Sequence, residues 1–195
     1  MFHRSSVRFV MCLAGCLAIA VTFAVEPTPA PKKKPDVGFY ATTQDVVEEI
    51  LRLAKVGKDD VVCDLGCGDG RFVITAAKRH GCRGVGYEID PKYVKIARES
   101  AKKQDVEALV TIHEQDIFTV DLKPMTVVTL FLLPELNDRL IPQLEKLPKG
   151  ARIISHEFDV PGLVADKELT FVSKQDESEH LLYIYTTPLK KKLAK

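Results

Sequence analysis

From residue 42 onward the chain alternates between two hydrophobic periods. Val46, Val47, Ile50, Leu51 and Ala54 recur at helical spacing behind Thr42, which can cap the helix with Asp45 three residues later, so a helix is predicted up to about Lys55. Gly57-Lys58-Asp59-Asp60 is a turn, and Val61–Leu65 is a short apolar run of the kind that forms a core strand. Arg71–Lys78 returns to helical spacing. The second strand is Gly84–Ile89, and Asp90-Pro91 then supplies a cap and a first-turn proline. The inward face of that helix reads Tyr93, Ile96, Ala97, Ser100 and Ala101. Leu109–His113 forms a third strand ending at Glu114-Gln115-Asp116, and Thr126–Phe131 a continuously apolar fourth, as in a buried parallel sheet. A helix over Glu135–Leu147 and the turn Pro148-Lys149-Gly150 lead to a fifth strand, Ala151–His156. Leu169–Val172 and His180–Thr186 follow with no helix between them, as an antiparallel edge pair.

Strands alternating with helices and closed by a hairpin predict an α/β fold. Its core is a doubly wound, mostly parallel seven-stranded sheet with an antiparallel C-terminal edge hairpin, carried by residues 36–187. Residues 188–195 form a basic tail, read as a disordered, soluble end. The N-terminus differs in character. Arg4 and Arg8 precede an uncharged apolar stretch over residues 9–25, and 26–35 is a Pro/Lys-rich linker. Three readings of residues 1–25 fit: a secretory signal cleaved after Ala24, a lipoprotein leader with Cys16 lipidated after Leu13-Ala14-Gly15, or an uncleaved anchor. All three make the domain exported or membrane-tethered. Lys32, Lys33 and Lys34 after the apolar stretch leave the side of the membrane open.

Composition narrows the partners. With 46% hydrophobic and 28% charged residues the chain is ordinary for a soluble domain, and its net charge of +1 lacks the basic footprint of a nucleic-acid binder. A monomer without nucleic acid is expected. Cys63, Cys67 and Cys82 fit neither a disulfide framework nor a zinc site and read as free thiols, so no metal is expected.

The chemistry concentrates where the first strand breaks into Gly66, Gly68 and Gly70. Strand, glycine loop and helix in that order open a nucleotide-binding α/β unit, whose ligand lies beyond the carboxyl ends of the strands. Asp64, Glu88 and Asp116 stand at the ends of strands one, two and three, so they would face one crevice. Glu88 is placed to accept hydrogen bonds from two ribose hydroxyls. Asp116 can accept from an adenine amino group, with Ile117 and Phe118 as apolar contacts for the ring. Asp64 repels a pyrophosphate and suits an ammonium or sulfonium charge. Glycines spaced by two residues depart from the Gly-x-Gly-x-x-Gly of a nicotinamide-dependent oxidoreductase. That enzyme remains the alternative, beside an exported non-catalytic binding protein that retains the fold.

Asp64-Leu-Gly-Cys-Gly-Asp-Gly70, with Glu88 and Asp116, resembles the cofactor site of class I S-adenosylmethionine-dependent methyltransferases. The resemblance implies a Rossmann-like methyltransferase fold and S-adenosylmethionine as cofactor. A narrower likeness lies in Phe39–Gln44, Asp69-Gly70-Arg71 and Leu130–Pro134. These are similar to a family of protein-lysine methyltransferases whose eukaryotic members modify mitochondrial ATP synthase subunit c and the adenine nucleotide carrier. This likeness adds Phe39 and Thr42 to the cofactor contacts and implies a protein lysine as methyl acceptor. The family often has Tyr-Val-Pro-Thr where this chain has Phe39-Tyr40-Ala41-Thr42, so a tyrosine hydroxyl and a proline are replaced. A lysine acceptor must be neutral to react, which a desolvated channel favours. Leu132, Leu133 and Pro134 would line that channel. Glu135 is the candidate catalytic group, able to orient the amine or accept its proton, or else a helix-start acid favoured by the dipole. The absence of Asn-Pro-Pro-Tyr or Asp-Pro-Pro-Tyr here argues against exocyclic amines of nucleic acids. His113 and His156 read as structural histidines, and Ser155-His156-Glu157 is not a triad, because neighbours on a strand point to opposite faces.

Overall fold

A strand covered on both faces has no polar side to offer. β1 (Val61–Leu65) and β4 (Val127–Leu130) meet that condition, being buried at every position. In the computed structural model, which describes residues 34–36 and 38–193, they pair in parallel inside a seven-stranded sheet. The remaining strands are β2 (Arg83–Glu88), β3 (Val110–Glu114), β5 (Arg152–His156), β7 (Lys167–Val172) and β8 (Glu179–Thr186). Their order is β3-β2-β1-β4-β5-β8-β7. The first five strands are parallel, and β8 lies antiparallel between β5 and β7. β1 has β2 on one side and β4 on the other, so the sheet reverses its winding there and opens a crevice above the carboxyl ends. The predicted fold class is the observed one.

Alternation along the strands sends successive side chains into opposite layers. Val62, Val127, Ile154 and Leu182 pack against α1 (Gln44–Leu53) and the Phe72 face of α2 (Arg71–His80). Cys63, Val128 and Ile153 face the other way, against Leu136, Leu140 and Leu144 of α4 (Pro134–Leu144). α3 (Pro91–Lys103) covers β2 and β3 with Val94, Ala97 and Ala101. α2 crosses β2 closely because Gly84 has no side chain: a Cβ there would lie 2.8 Å from the Val73 carbonyl oxygen. Cys63, Cys67 and Cys82 are free and buried, as expected.

Four local expectations are corrected. Thr42 does not cap α1; Thr43 takes that position without a side-chain cap bond, while Thr42 is buried and turned towards His156. Asp45 instead accepts from Ser173 Oγ (3.0 Å) and the Lys174 N–H (2.7 Å), which ties α1 to the turn between β7 and β8. The inward face of α3 is Val94, Ala97 and Ala101, with Tyr93, Ile96 and Ser100 only half-buried at its margin. α4 ends at Leu144 rather than Leu147, two residues beyond Pro142, whose ring removes one backbone donor. The tail is not free either. β9 (Lys190–Lys191) pairs antiparallel with β6 (Leu163–Val164), and Lys190 and Lys192 reach Asp166 and Asp159. The readings of the leader fall on residues outside the described ones; among the described residues no helix is long and apolar enough to cross a membrane.

The helix–strand approach at Gly84 can be tested. Gly84→Ala must push backbone against backbone and is expected to cost about 1–3 kcal/mol, read as a fall of several degrees in melting temperature. Gly57→Ala meets only Asp60 Oδ2 at 3.9 Å and should leave the melting temperature nearly unchanged.

Candidate active site

The loop leaving β1 is pinned from behind before it reaches the crevice. The N–H groups of Gly66 and Cys67 both donate to the Tyr87 carbonyl at 2.9 Å, and Gly70 N–H returns to Cys67 O at 2.8 Å. Gly66, Gly68 and Gly70 all have positive φ. At Gly68 a Cβ would lie 2.2 Å from the Phe39 ring, so only glycine lets the loop pass beneath that ring.

Glu88 gathers the elements around this loop. Its Oε2 accepts the Gly68 N–H (2.9 Å), and its Oε1 accepts the N–H groups of Ile89 (2.8 Å) and Asp90 (2.9 Å). Three of the roughly four lone-pair sites of the carboxylate are therefore used by backbone. Oε2 keeps acceptor capacity on the cleft side, where the ribose hydroxyls are expected. Asp90 goes on to cap α3 through the Lys92 N–H at 2.8 Å.

Asp64 is buried beneath the loop and accepts from Thr129 Oγ1 at 2.6 Å. Burial, reinforced by the negative charges of Asp69 and Glu88, pushes its carboxyl up to about 7 against the pull of Thr129 and Arg71. Arg71 is engaged elsewhere, forking onto Asp69 and donating from Nη1 to the Thr42 carbonyl. Through that bond the segment before α1 is strapped over the loop, with Phe39 seated on Tyr93 at 4.4 Å between ring centroids.

On the other side of the crevice Phe131, Leu132 and Leu133 continue from β4, with the Phe131 ring 4.2 Å from His156. The cleft has a volume of about 1140 Å³, room for a nucleoside-sized ligand and a second reactant. Of the residues expected at the site, Phe39, Thr42, Asp64, Gly66, Glu88, Asp116, Ile117, Leu132 and Leu133 line it. Gly68 and Gly70 shape the loop from behind. Phe118 does not line the cleft; its ring lies under the Arg139 guanidinium at 3.7 Å. Pro134 is the first residue of α4, and Glu135 is exposed on the first turn outside the lining. The geometry therefore supports the helix-start reading of Glu135 and not the catalytic one.

Sequence reasoning missed Arg71, Tyr93, Phe131, Glu157, Phe158 and Leu181, all of which line the cleft. Glu157 is the instructive case. Its φ of 66° breaks the alternation of β5, so its carboxylate turns back to the same side as His156, 3.1 Å from Nε2. Ser155 points away to the Phe158 carbonyl, and no triad forms. His156 is neutral, lowered to about 3 by burial and by His180 beside it. His113 stacks on Tyr87 at 5.1 Å, a structural position as expected.

The residues fit S-adenosylmethionine. The glycine cradle admits close approach, Glu88 keeps an acceptor facing the cleft, and Asp64 has its proton affinity raised by burial and by the neighbouring carboxylates, which a ligand's positive charge would offset. A family model described as the ANTKMT methyltransferase domain matches residues 64–167. A protein-lysine N-methyltransferase of Saccharolobus islandicus (strain REY15A) is 41% identical over 153 residues, covering 77% of this chain and 94% of that one. The adenine nucleotide translocase lysine N-methyltransferase of Mus musculus is 34% identical over 160 residues, covering 79% and 69%. The crystal structure of an RNA methyltransferase from Salinibacter ruber in complex with S-adenosyl-L-homocysteine aligns with a TM-score of 0.70 at 41% identity, covering 80% of this chain and 97% of that one.

Asp64 carries a pH signature. Its folded value of about 7 stands above the 3.8 of an ordinary aspartate, so between pH 4 and 7 the folded state holds a proton that the unfolded state has released. The Asp64 contribution to stability is then full below pH 4 and is lost as pH rises through about 7, by at most about 4 kcal/mol. Asp64→Asn, neutral throughout, should melt above the parent at pH 8 and no higher at pH 4. The same variant should bind S-adenosylmethionine about tenfold more weakly by calorimetry. Equal melting differences at both pH values would refute the assignment.

Proposed function

The chain belongs to the ANTKMT methyltransferase family and is an S-adenosylmethionine-dependent methyltransferase, and on that premise we propose that its methyl acceptor is the ε-amine of a protein lysine. The observation that carries the proposal is the charge of the cleft. Among the described residues, seven carboxylate residues line it (Asp36, Asp64, Asp69, Glu88, Asp90, Asp116 and Glu157) against three cationic ones, Lys34, Arg71 and Lys92. Arg71 is already paired with Asp69. Such a lining attracts an ammonium and repels a phosphate backbone, which favours lysine over the RNA named for the Salinibacter structure. The 41% identity to a protein-lysine N-methyltransferase over nearly its whole length points the same way.

When bound, S-adenosylmethionine supplies a methyl group already activated on a sulfonium for in-line displacement. The protein's work is positional. Glu88 and the glycine loop hold the nucleoside end, and Asp64 faces positive charge. Leu132, Leu133 and Phe131 form an apolar wall suited to the aliphatic stem of a lysine and exclude water beside it. The leader adds a cellular reading. Arg4, Arg8 and the apolar residues 9–25 support an enzyme exported from, or tethered to, a membrane.

Transfer of a tritiated methyl group from S-adenosylmethionine into a cell extract tests the acceptor. The label should be lost to protease, survive ribonuclease and appear as methyllysine after acid hydrolysis. Label that ribonuclease releases would overturn the lysine assignment. Fractionation tests the leader: the expressed full chain should sediment with membranes or leave the cytosol in processed form. Recovery in the soluble cytosolic fraction with Met1 intact would exclude export and tethering.

A further inference from the structure

β5, β8 and the turn before β8 bring a second polar cluster to the acceptor side of the cleft, away from the glycine loop. His156 Nε2 and His180 Nδ1 lie 2.9 Å apart. Each also faces Glu157 Oε1, at 3.1 and 2.9 Å. His180 Nε2 faces Asp176 at 3.3 Å, and Thr42 Oγ1 stands 3.4 Å from His156 Nδ1. These atoms form a triangle in which an imidazole nitrogen approaches the carboxylate from each of two sides. Three ligands around a tetrahedral ion at 2.0–2.1 Å would stand about 3.3 Å apart. The observed sides are shorter, and the two nitrogen-to-oxygen sides are at hydrogen-bond distance. The cluster is therefore a protein-internal clamp on the Glu157 carboxylate, with both rings donating to one oxygen.

That clamp leaves Glu157 Oε2 without a hydrogen-bond partner among the described residues. Glu157 itself lines the cleft beside Phe131, Phe158 and Leu181, and its positive φ is a conformation a non-glycine residue holds only when its surroundings impose it. Five of the other cleft carboxylates have named partners already. Glu88 is bound by three backbone N–H groups, Asp69 by Arg71, Asp64 by Thr129, and Asp90 and Asp116 by the helical turns they cap.

We propose that Glu157 is the catalytic carboxylate on the acceptor side, receiving the ε-ammonium of the incoming lysine and taking its proton, with His156 and His180 as positioning residues. The proposal rests on the lysine reading above and names the group that serves it. Glu157 Oε2 accepts one proton from the ammonium, leaving a neutral amine and a carboxylic acid. Beside the apolar side chains of Phe131, Phe158 and Leu181 this exchange removes two opposite charges at once, which low local polarity favours. The amine lone pair then forms the nitrogen–carbon bond as the carbon–sulfur bond breaks, its electron pair remaining on sulfur. Glu157 is 29% exposed and returns the proton to bulk water. The titratable groups around it are His156 from β5, His180 from β8 with Asp176 of the preceding turn on its far nitrogen, and Tyr183, whose own proton affinity is raised by burial and by the charges of Glu168, Asp159 and Glu157.

The test uses the full chain and a protein substrate identified by the labelling experiment. Glu157→Gln keeps the shape and removes the base. It should lower kcat about 100-fold at pH 7, the lower end of what a general base contributes. Affinity for S-adenosyl-L-homocysteine by calorimetry should stay within threefold. The residual rate should climb steadily to pH 10, as the free amine deprotonates without help, where the parent reaches a plateau. Glu157→Asp should recover part of the loss. His180→Asn should lower kcat, move the plateau of the pH profile and leave KM within threefold. A Glu157→Gln enzyme with kcat within threefold of the parent at pH 7 overturns the proposal. If that variant fails to bind S-adenosyl-L-homocysteine, His180→Asn decides, and an unchanged pH profile overturns the proposal. A stoichiometric metal in the purified parent, with activity lost to a chelator, also overturns it. A parent that labels RNA instead of lysine removes the lysine reading itself, a different outcome from a Glu157→Gln variant that labels lysine at full rate.

Discussion

The carboxylate of Glu88 is the point on which this structure turns. A single side chain accepts the Gly68 N–H from the loop after β1, the Ile89 N–H at the end of its own strand, and the Asp90 N–H at the start of α3. Those segments meet at the place where the parallel sheet reverses its winding. A carboxylate fixed by backbone donors there costs no reorganisation when a ligand arrives, which is the condition for strong electrostatic recognition. It also restrains the glycine loop, whose positive φ values glycine holds without strain. The loop, in turn, seats Phe39, and through Arg71 it holds the segment before α1. Much of the cofactor side follows from that one group.

The donor side was legible in the sequence because its determinants are local. A strand, a glycine run and an acid at a strand end are neighbours in the chain, and parallel pairing carries Asp64, Glu88 and Asp116 to one edge without further information. The acceptor side was not legible in the same way. Glu157 follows β5 by one residue, and alternation alone would send it away from His156; its positive φ reverses that, and no residue pattern announces a left-handed glutamate. His180 reaches the cluster only because β8 inserts antiparallel beside β5, a pairing between segments 24 residues apart that periodicity does not encode. Thr42 shows the reverse case. Its chemistry suits a helix cap, yet tertiary contact with His156 outweighs the local preference and Thr43 takes the end of α1. The tail was misread because β9 finds its partner β6 far away in sequence.

Charge divides the cleft by purpose. Asp64 is buried with its proton affinity raised, so it gains most from a ligand that brings positive charge. Glu157, by contrast, keeps a solvent-facing edge and two histidine donors, which suits a group that must receive a charged chain and let it leave again. Between them the apolar wall of Phe131 and Leu132 keeps the carboxylates from sharing one hydrated pool. Asn137 braces that wall from below, donating to the Leu132 carbonyl and to the Asp159 carbonyl beyond β5, so the ends of β4 and β5 are held at a fixed separation.

Thr42 links the two sides. Its carbonyl accepts from Arg71, which belongs to the glycine loop, and its hydroxyl meets His156, which belongs to the Glu157 clamp. With His156 Nε2 protonated towards Glu157, Nδ1 is an acceptor and the Thr42 hydroxyl is its donor. One residue of the strap therefore senses both the loop that receives the donor and the histidine that orients the acceptor carboxylate. Displacing Phe39 from Gly68 would pull on Thr42, three residues along an extended segment, and so on the His156 ring. A strap anchored at both sides thus puts one residue in contact with both halves of the cleft, the loop on the donor side and the histidine on the acceptor side.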